Sequence, residues 1–306
     1  SIGSAALWVP MCRMANPLGM SLVLAVTLMA SVSSGTLTHI SREELYHRLA
    51  NKHMVQGKEL QEFVNVPRDG VYLELLAKDC RGAFLNLRRQ NGLYVIHPKN
   101  SPPMAVYCDV SEQGQGWTVL QRNTLQKTLF EDPTWGTYKE GFGNLMADHW
   151  LGNEMIYLLT RQNTFTVRFS VVDAQHKEHH ADYSSFRVDS EANNYPLRLG
   201  DYSGGAGDAL TAMNETGMHD NMMFSTKDRD NDRWRNNCAE EKRGGWWFDS
   251  CGSALLNSDH IIYWRGLCDE SNPCSSSSIM IKPSKKNCSP IPFPGPGDHI
   301  PIHQKR

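Results

Sequence analysis

The chain has 306 residues, 40% of them hydrophobic and 21% charged, which is enough to bury a core of ordinary size. Its 31 Lys and Arg against 33 Asp and Glu leave a formal charge of -2, so no basic field is available to hold nucleic acid. One folded domain of roughly 200 residues behind a less regular front end is the simplest partition.

Residues 1–35 contain an apolar run, Met20 to Val32 (MSLVLAVTLMASV), followed by Ser33, Ser34 and Gly35. Its length suits the core of a signal peptide and falls short of the about 20 residues that a membrane span needs. Met14 is a candidate start, and no later segment is apolar enough to cross a bilayer. A secreted, extracellular chain without a membrane span is expected, in a compartment where the eight cysteines can oxidise.

Ser41 to Val64 reads as an amphipathic helix, opened by Ser41 and Glu44 as a capping box and striped by Ile40, Leu45, Leu49, Leu60 and Phe63. Gly57 interrupts the stripe, so residues 36–78 are expected to form a short helical stalk that joins copies of the chain, packs on its own domain or is partly disordered. From Cys80 the texture changes to short β-type runs at Leu93, Met104, Trp117 and Phe165, with a helical interval from Asp148 to Thr160. The class is α+β with a central antiparallel sheet, placed in residues 79–284. Residues 285–306 form a tail dense in Pro and Gly and are expected to be irregular.

Carboxylates recur at every second position in Asp228-Arg229-Asp230-Asn231-Asp232. Such a loop can converge hard oxygen ligands on one calcium ion, which prefers them at about 2.3 to 2.6 Å. An EF-hand is excluded, because its sixth position is Arg233 and its twelfth Ala239. Cys238 and Cys251 follow, with the tryptophan pair Trp246-Trp247 between them. In an oxidising compartment they can close a loop worth about 3 kcal/mol by chain entropy.

Taken in order, the blocks Asp79-Cys80, VYCD (106–109), GWTVLQR (116–122), YKEGFGN (138–144), HWLGNEMIYLLT (149–160), GDYSGGAGDAL (200–210), FSTKDRDND (224–232) and CAEEKRGGWWFDSC (238–251) resemble the fibrinogen C-terminal-like domain. The resemblance runs from about Asp79 to Pro283 and implies an α+β fold with a loop-rich calcium-binding subdomain. A short front end resembles the fibrinogen-like members more than the ficolins with their collagen stalks.

The resemblance also implies site residues. A structural calcium ion falls to Asp230 and Asp232 with the backbone carbonyls of Trp234 and Asn236, and Asp228 is a supporting carboxylate. The implied disulfides are Cys80 with Cys108 and Cys238 with Cys251, and a cis peptide is implied at Ser250-Cys251, at a cost of about 3 to 4 kcal/mol outside proline. Trp246, Trp247, Ser250 and Gly252 mark the binding pocket. Acetyl-binding relatives place a histidine where this chain has Gly252, and a tyrosine where it has Lys242. The segment from Cys251 to Ile279 is shortened around Leu255-Leu256-Asn257-Ser258, and it carries Cys268 and Cys274, which can pair with each other. Cys288 is then unpaired unless it bonds a second chain or an N-terminal partner.

Asn214-Glu215-Thr216 is a glycosylation sequon, and Asn287-Cys288-Ser289 a weaker one. His176, His179 and His180 lack the spacing of a zinc protease and read as a polar turn. Gly204-Gly205-Ala206-Gly207 matches a structural turn of the family, and no nucleophile elbow is found, so an enzyme is not expected. The leading expectation is a non-catalytic, calcium-binding hepatokine or immune-ligand type protein that engages a receptor or matrix ligand. The alternatives are a ficolin-like lectin for acetylated sugars in innate immunity and a decayed relative with no competent pocket.

Overall fold

The computed structural model describes residues 37–284, apart from 57, 60–61, 87–89, 112–115, 126–127, 131–132, 214, 216 and 270. Its helices are α1 (Arg42–Arg48), α2 (Cys80–Asn86), α3 (Trp135–Glu140), α4 (Asn153–Thr160) and α5 (Cys238–Glu241). Its early strands are β1 (His39–Ile40), β2 (Val71–Tyr72), β3 (Gly92–Ile96), β4 (Met104–Asp109), β5 (Trp117–Asn123), β6 (Phe142–Gly143) and β7 (His149–Trp150). They are followed by β8 (Phe165–Val172), β9 (Glu178–Val188), β10 (Leu197–Leu199), β11 (Tyr202–Gly204), β12 (Ala254–Leu255), β13 (Tyr263–Trp264) and β14 (Ser276–Pro283).

The main sheet is antiparallel in the order β10-β9-β8-β14-β5-β4-β3, with β11 on β9, β7 on β5 and β6 on β7. The last strand in sequence, β14, therefore sits at the centre, between β8 and β5. Alternation sets its two faces: Val167, Phe169 and Val171 of β8 and Ile279 and Ile281 of β14 are buried inward, while Arg168, Ser276 and Ser278 lie outward. Helix α4 packs against β9 and α3 with Ile156 and Leu159 fully buried. It starts later than the sequence pattern suggests, because His149 and Trp150 are drawn into strand pairing with Arg122 and Gln121.

The front end departs furthest from expectation. Ser41 Oγ accepts from Glu44 N at 3.1 Å, but the Glu44 carboxylate turns to Arg48 at 2.6 Å. The helix stops after seven residues, at Arg48, and does not continue to Val64. It ends because the backbone finds partners on the domain: Ala50 N donates to Pro103 O at 3.0 Å. One residue on, the Asn51 side chain exchanges two hydrogen bonds with Ala105 of β4, at 2.8 and 2.9 Å. Asn65 does the same to Val95 of β3, at 2.6 and 2.9 Å. Each primary amide presents one donor and one acceptor and so stands in for a strand residue, covering strand groups that have no strand beside them. Leu45, Leu49, Met54, Val55, Phe63 and Val66 are buried in the same core as the sheet. Residues 37–76 thus pack on their own domain, one of the expected courses, but as a girdle with one short α-helix and not as one long helix.

Candidate calcium loop and recognition surface

The acidic loop is framed by neighbouring hydrogen bonds. Ser225 and Trp246 exchange backbone bonds, Thr226 and Arg229 close a turn, and Asn231 Nδ2 donates to Phe224 O at 2.7 Å. Asn237 caps α5, accepting from Ala239 N and Glu240 N, and its Nδ2 returns to Thr226 O at 3.0 Å. Inside this frame Asp232 is buried, and its carboxylate accepts from Trp234 N and Cys238 N, both at 2.9 Å. Asp230 lies against it, with its Oδ1 taking the Asp232 N–H at 3.2 Å. Burial, with the Asp230 charge adding to it, pushes the Asp232 carboxyl up to about 6.

A carboxyl raised in this way marks a place short of positive charge. Among the described residues no group of three or more His, Cys, Asp or Glu side chains converges, so two carboxylates are what this loop offers. A cation there needs carbonyl oxygens for its remaining ligands, which suits calcium and disfavours softer metals. One oxygen of Asp228 is engaged elsewhere: its Oδ1 accepts from Trp135 N at 2.8 Å and Thr226 Oγ1 at 2.7 Å. It serves an amide in the first turn of α3 that has no partner within the helix. Arg229 stacks on the Trp135 ring, 4.0 Å from its centre, and fastens the same joint.

The segment beyond the loop is cross-linked through Cys238–Cys251, with Cα atoms 5.2 Å apart, while Cys80–Cys108 joins α2 to β4 and Cys268–Cys274 closes a small extra loop. Among the described residues no peptide is cis. The expected cis bond at Ser250-Cys251 is replaced by a trans peptide, and the chain turns through positive φ at Cys251 (68°) and Gly252 (77°).

Trp246 and Trp247 are core and not a ligand platform: both are at most 1% exposed. The Trp247 ring meets Phe224 at 5.4 Å and Trp150 at 6.0 Å, and its Nε1 donates to Tyr195 O at 2.8 Å. Their bulk is more effective beneath the loop than on its surface. Ser250 is exposed and Gly252 partly so.

The space beside Gly252 holds the ring of His219, a residue with no motif around it in the sequence. Two amides, Ser253 N at 2.8 Å and Ala254 N at 3.0 Å, point at Nε2, so Nε2 is the acceptor and Nδ1 the donor, to Trp247 O at 2.8 Å. A Cβ on Gly252 would lie 2.1 Å from this ring. Burial holds the His219 pKa down at about 4. Beside it, Asp249 forms a two-pronged ion pair with Arg233 and accepts from Met218 N at 3.1 Å. Asp249 and His219 thereby tie the acidic loop, the 217–219 turn and the 249–254 segment into one unit.

Of the remaining candidates, His179 pairs with Asp173 at 2.8 Å and His180 with Ser170 at 2.9 Å, at the start of β9 and not in a turn. No helix among the described residues is long and apolar enough to cross a membrane. The apolar run at 20–32, Asn214, Cys288 and the tail lie outside the described residues.

The described geometry agrees with what the chain is similar to. The profile of the fibrinogen beta and gamma chains, C-terminal globular domain, matches residues 76–275. A chicken fibrinogen-like protein 1-like protein is 44% identical over 216 residues, covering 70% of this chain and 76% of its own length. Human fibrinogen-like protein 1 is 38% identical over 70% of this chain and 71% of its own, and techylectin-5A of Tachypleus tridentatus is 38% identical over 62% and 66%. Among solved structures, the fibrinogen-like globe domain of human ANGPTL2 superposes with a TM-score of 0.63 at 34% identity, over 68% of this chain and 99% of that one. Lamprey fibrin D-dimer, complexed with the peptide ligand Gly-His-Arg-Pro-amide, gives 0.66 at 27%, over 80% and 82%. With the antiparallel sheet, the matched profile and the similar relatives together, this chain belongs to the fibrinogen C-terminal domain family.

Proposed function

We propose that this chain is a secreted, non-catalytic recognition protein in which a calcium ion at Asp230 and Asp232, completed by carbonyls of Trp234 and Asn236, orders the surface that engages an extracellular receptor or matrix ligand. The observation that carries this reading is the buried Asp232 carboxyl, pressed against Asp230 and raised to about 6. An ion bound there supplies the missing charge and braces the segment that Asp249 and His219 connect to residues 249–254. Extracellular modules hold calcium at about 10⁻⁴ to 10⁻³ M, so the ion is structural and near saturation outside cells. Calorimetric titration of the purified chain with calcium tests this: one ion should bind, and Asp230→Asn with Asp232→Asn should abolish it. Heat signals unchanged by that double substitution would sink the assignment.

A second reading, a lectin for acetylated sugars, draws on the name of techylectin-5A, 38% identical to this chain. Gly252 and the His219 ring that fills the adjoining space argue against a pocket of the acetyl-binding type. Retention on an N-acetylglucosamine column in calcium, with release by chelator, would reverse the ranking.

A further inference from the structure

The outward face of the main sheet carries a polar groove of roughly 290 Å³, lined by Arg122, Thr124, Ser170, Glu178, Ser276 and Ser278. Register builds it. Arg122 of β5 faces Ser278 of β14, which faces Ser170 of β8, which faces His180 of β9. One step along, Ser276 faces Val172, which faces Glu178. With strands about 4.8 Å apart, the Arg122 and Glu178 ends are separated by roughly 14 Å, three strand spacings.

Arg122 stacks on Tyr107 at 4.9 Å and makes one long bond, 3.5 Å, to Met146 O; no carboxylate among the described residues pairs with it. The Ser276 and Ser278 hydroxyls have no hydrogen-bond partner among the described residues, and His180 already shares a bond with Ser170. A guanidinium fork with most of its donors unused, beside a row of hydroxyls, matches a tetrahedral oxoanion carried on a hydroxylated scaffold.

We infer that this groove binds a sparsely sulfated polysaccharide, with the sulfate ester at Arg122 and Ser278 and sugar hydroxyls toward Ser276 and Glu178. One cation at one end and one carboxylate at the other fit a single sulfate per disaccharide, because Glu178 repels a second. A phosphorylated peptide is the poorer fit, since such ligands are read by clusters of arginines and only one is here. The groove lies apart from the acidic loop, so this inference stands without the calcium reading.

The test is biolayer interferometry of the full secreted chain on immobilised chondroitin 4-sulfate hexasaccharide at physiological salt. Binding should be the same in calcium and in chelator. Arg122→Gln should weaken it at least about tenfold, and Ser276→Val with Ser278→Val about threefold, as lost charged and neutral hydrogen bonds predict. Glu178→Gln should tighten binding of the more heavily sulfated heparin hexasaccharide. Should Arg122→Gln lower the melting temperature, the serine pair decides. Equal binding of unsulfated chondroitin, unchanged affinity in the serine pair, or preference for a phosphoserine peptide would overturn the inference.

Discussion

The girdle of residues 37–76 and the acidic segment of residues 226–252 solve the same problem, holding irregular chain against the sheet, by opposite means. The girdle uses neutral groups: buried Leu45, Leu49 and Met54, and the amides of Asn51 and Asn65 that complete strand ladders. The acidic segment uses Asp230 against Asp232, Asp249 against Arg233, a disulfide and a buried imidazole. Neutral contacts hold in any solution. Charged and cross-linked ones hold only while ion, oxidant and pH allow, and the surface proposed for recognition sits in the conditional half.

The largest expected effect breaks the girdle. Asn65→Leu leaves the buried N–H and C=O of Val95 without partners and should cost about 2 to 6 kcal/mol, at one to three for each stranded group. Urea melts should show this loss equally in calcium and in chelator; dependence on calcium would contradict the contrast drawn between the two regions. Next comes the cross-link. Replacing Cys238 and Cys251 by Ser should cost about 3 kcal/mol and loosen residues 238–254 in hydrogen exchange while leaving residues 37–76 protected.

Acid attacks the conditional half and the main sheet together. The folded pKa values of His219 and His149 are held down at about 4, chiefly by burial, against an unfolded value of about 6.5. A histidine with a depressed folded pKa takes up its proton on unfolding. Its stabilising contribution is therefore complete above about pH 6.5 and is lost as pH falls toward 4, on the order of 3 kcal/mol for each ring. His219→Gln should flatten that part of the stability profile; a slope unchanged by the substitution would remove His219 from the account. Calcium should have the smallest effect on melting. At about 2 mM and a dissociation constant near 10⁻⁴ to 10⁻³ M it adds roughly 0.6 to 1.8 kcal/mol, a rise of a few degrees. Asp232→Asn should erase that rise.

Much of the acidic segment was legible because its information is local. Alternating carboxylates at 228–232 and the spacing of Cys238 and Cys251 lie within a few turns of chain. The part played by Asp228 was not legible, since the amide it serves belongs to Trp135, 93 positions away. The girdle was misread for the same reason: a capped, striped run promised a long helix, yet Asn51 finds its partner in Ala105, 54 positions on. Local propensity yields where tertiary hydrogen bonds compete for the same backbone.

By itself the sequence determined the α+β class and, through the resemblance, the family and the pairs Cys80–Cys108 and Cys238–Cys251, whereas the pairing of Cys268 with Cys274 was left for the structure to close. The class follows from local periodicity, and the family and its two disulfides from the resemblance of short motif blocks, all of which are local in the chain. Only the tertiary structure decided that the front end is a girdle, that Trp246 and Trp247 are buried beneath the acidic loop, and that His219 occupies the space beside Gly252. Each of these depends on burial, and burial is settled by contacts between segments far apart in the chain.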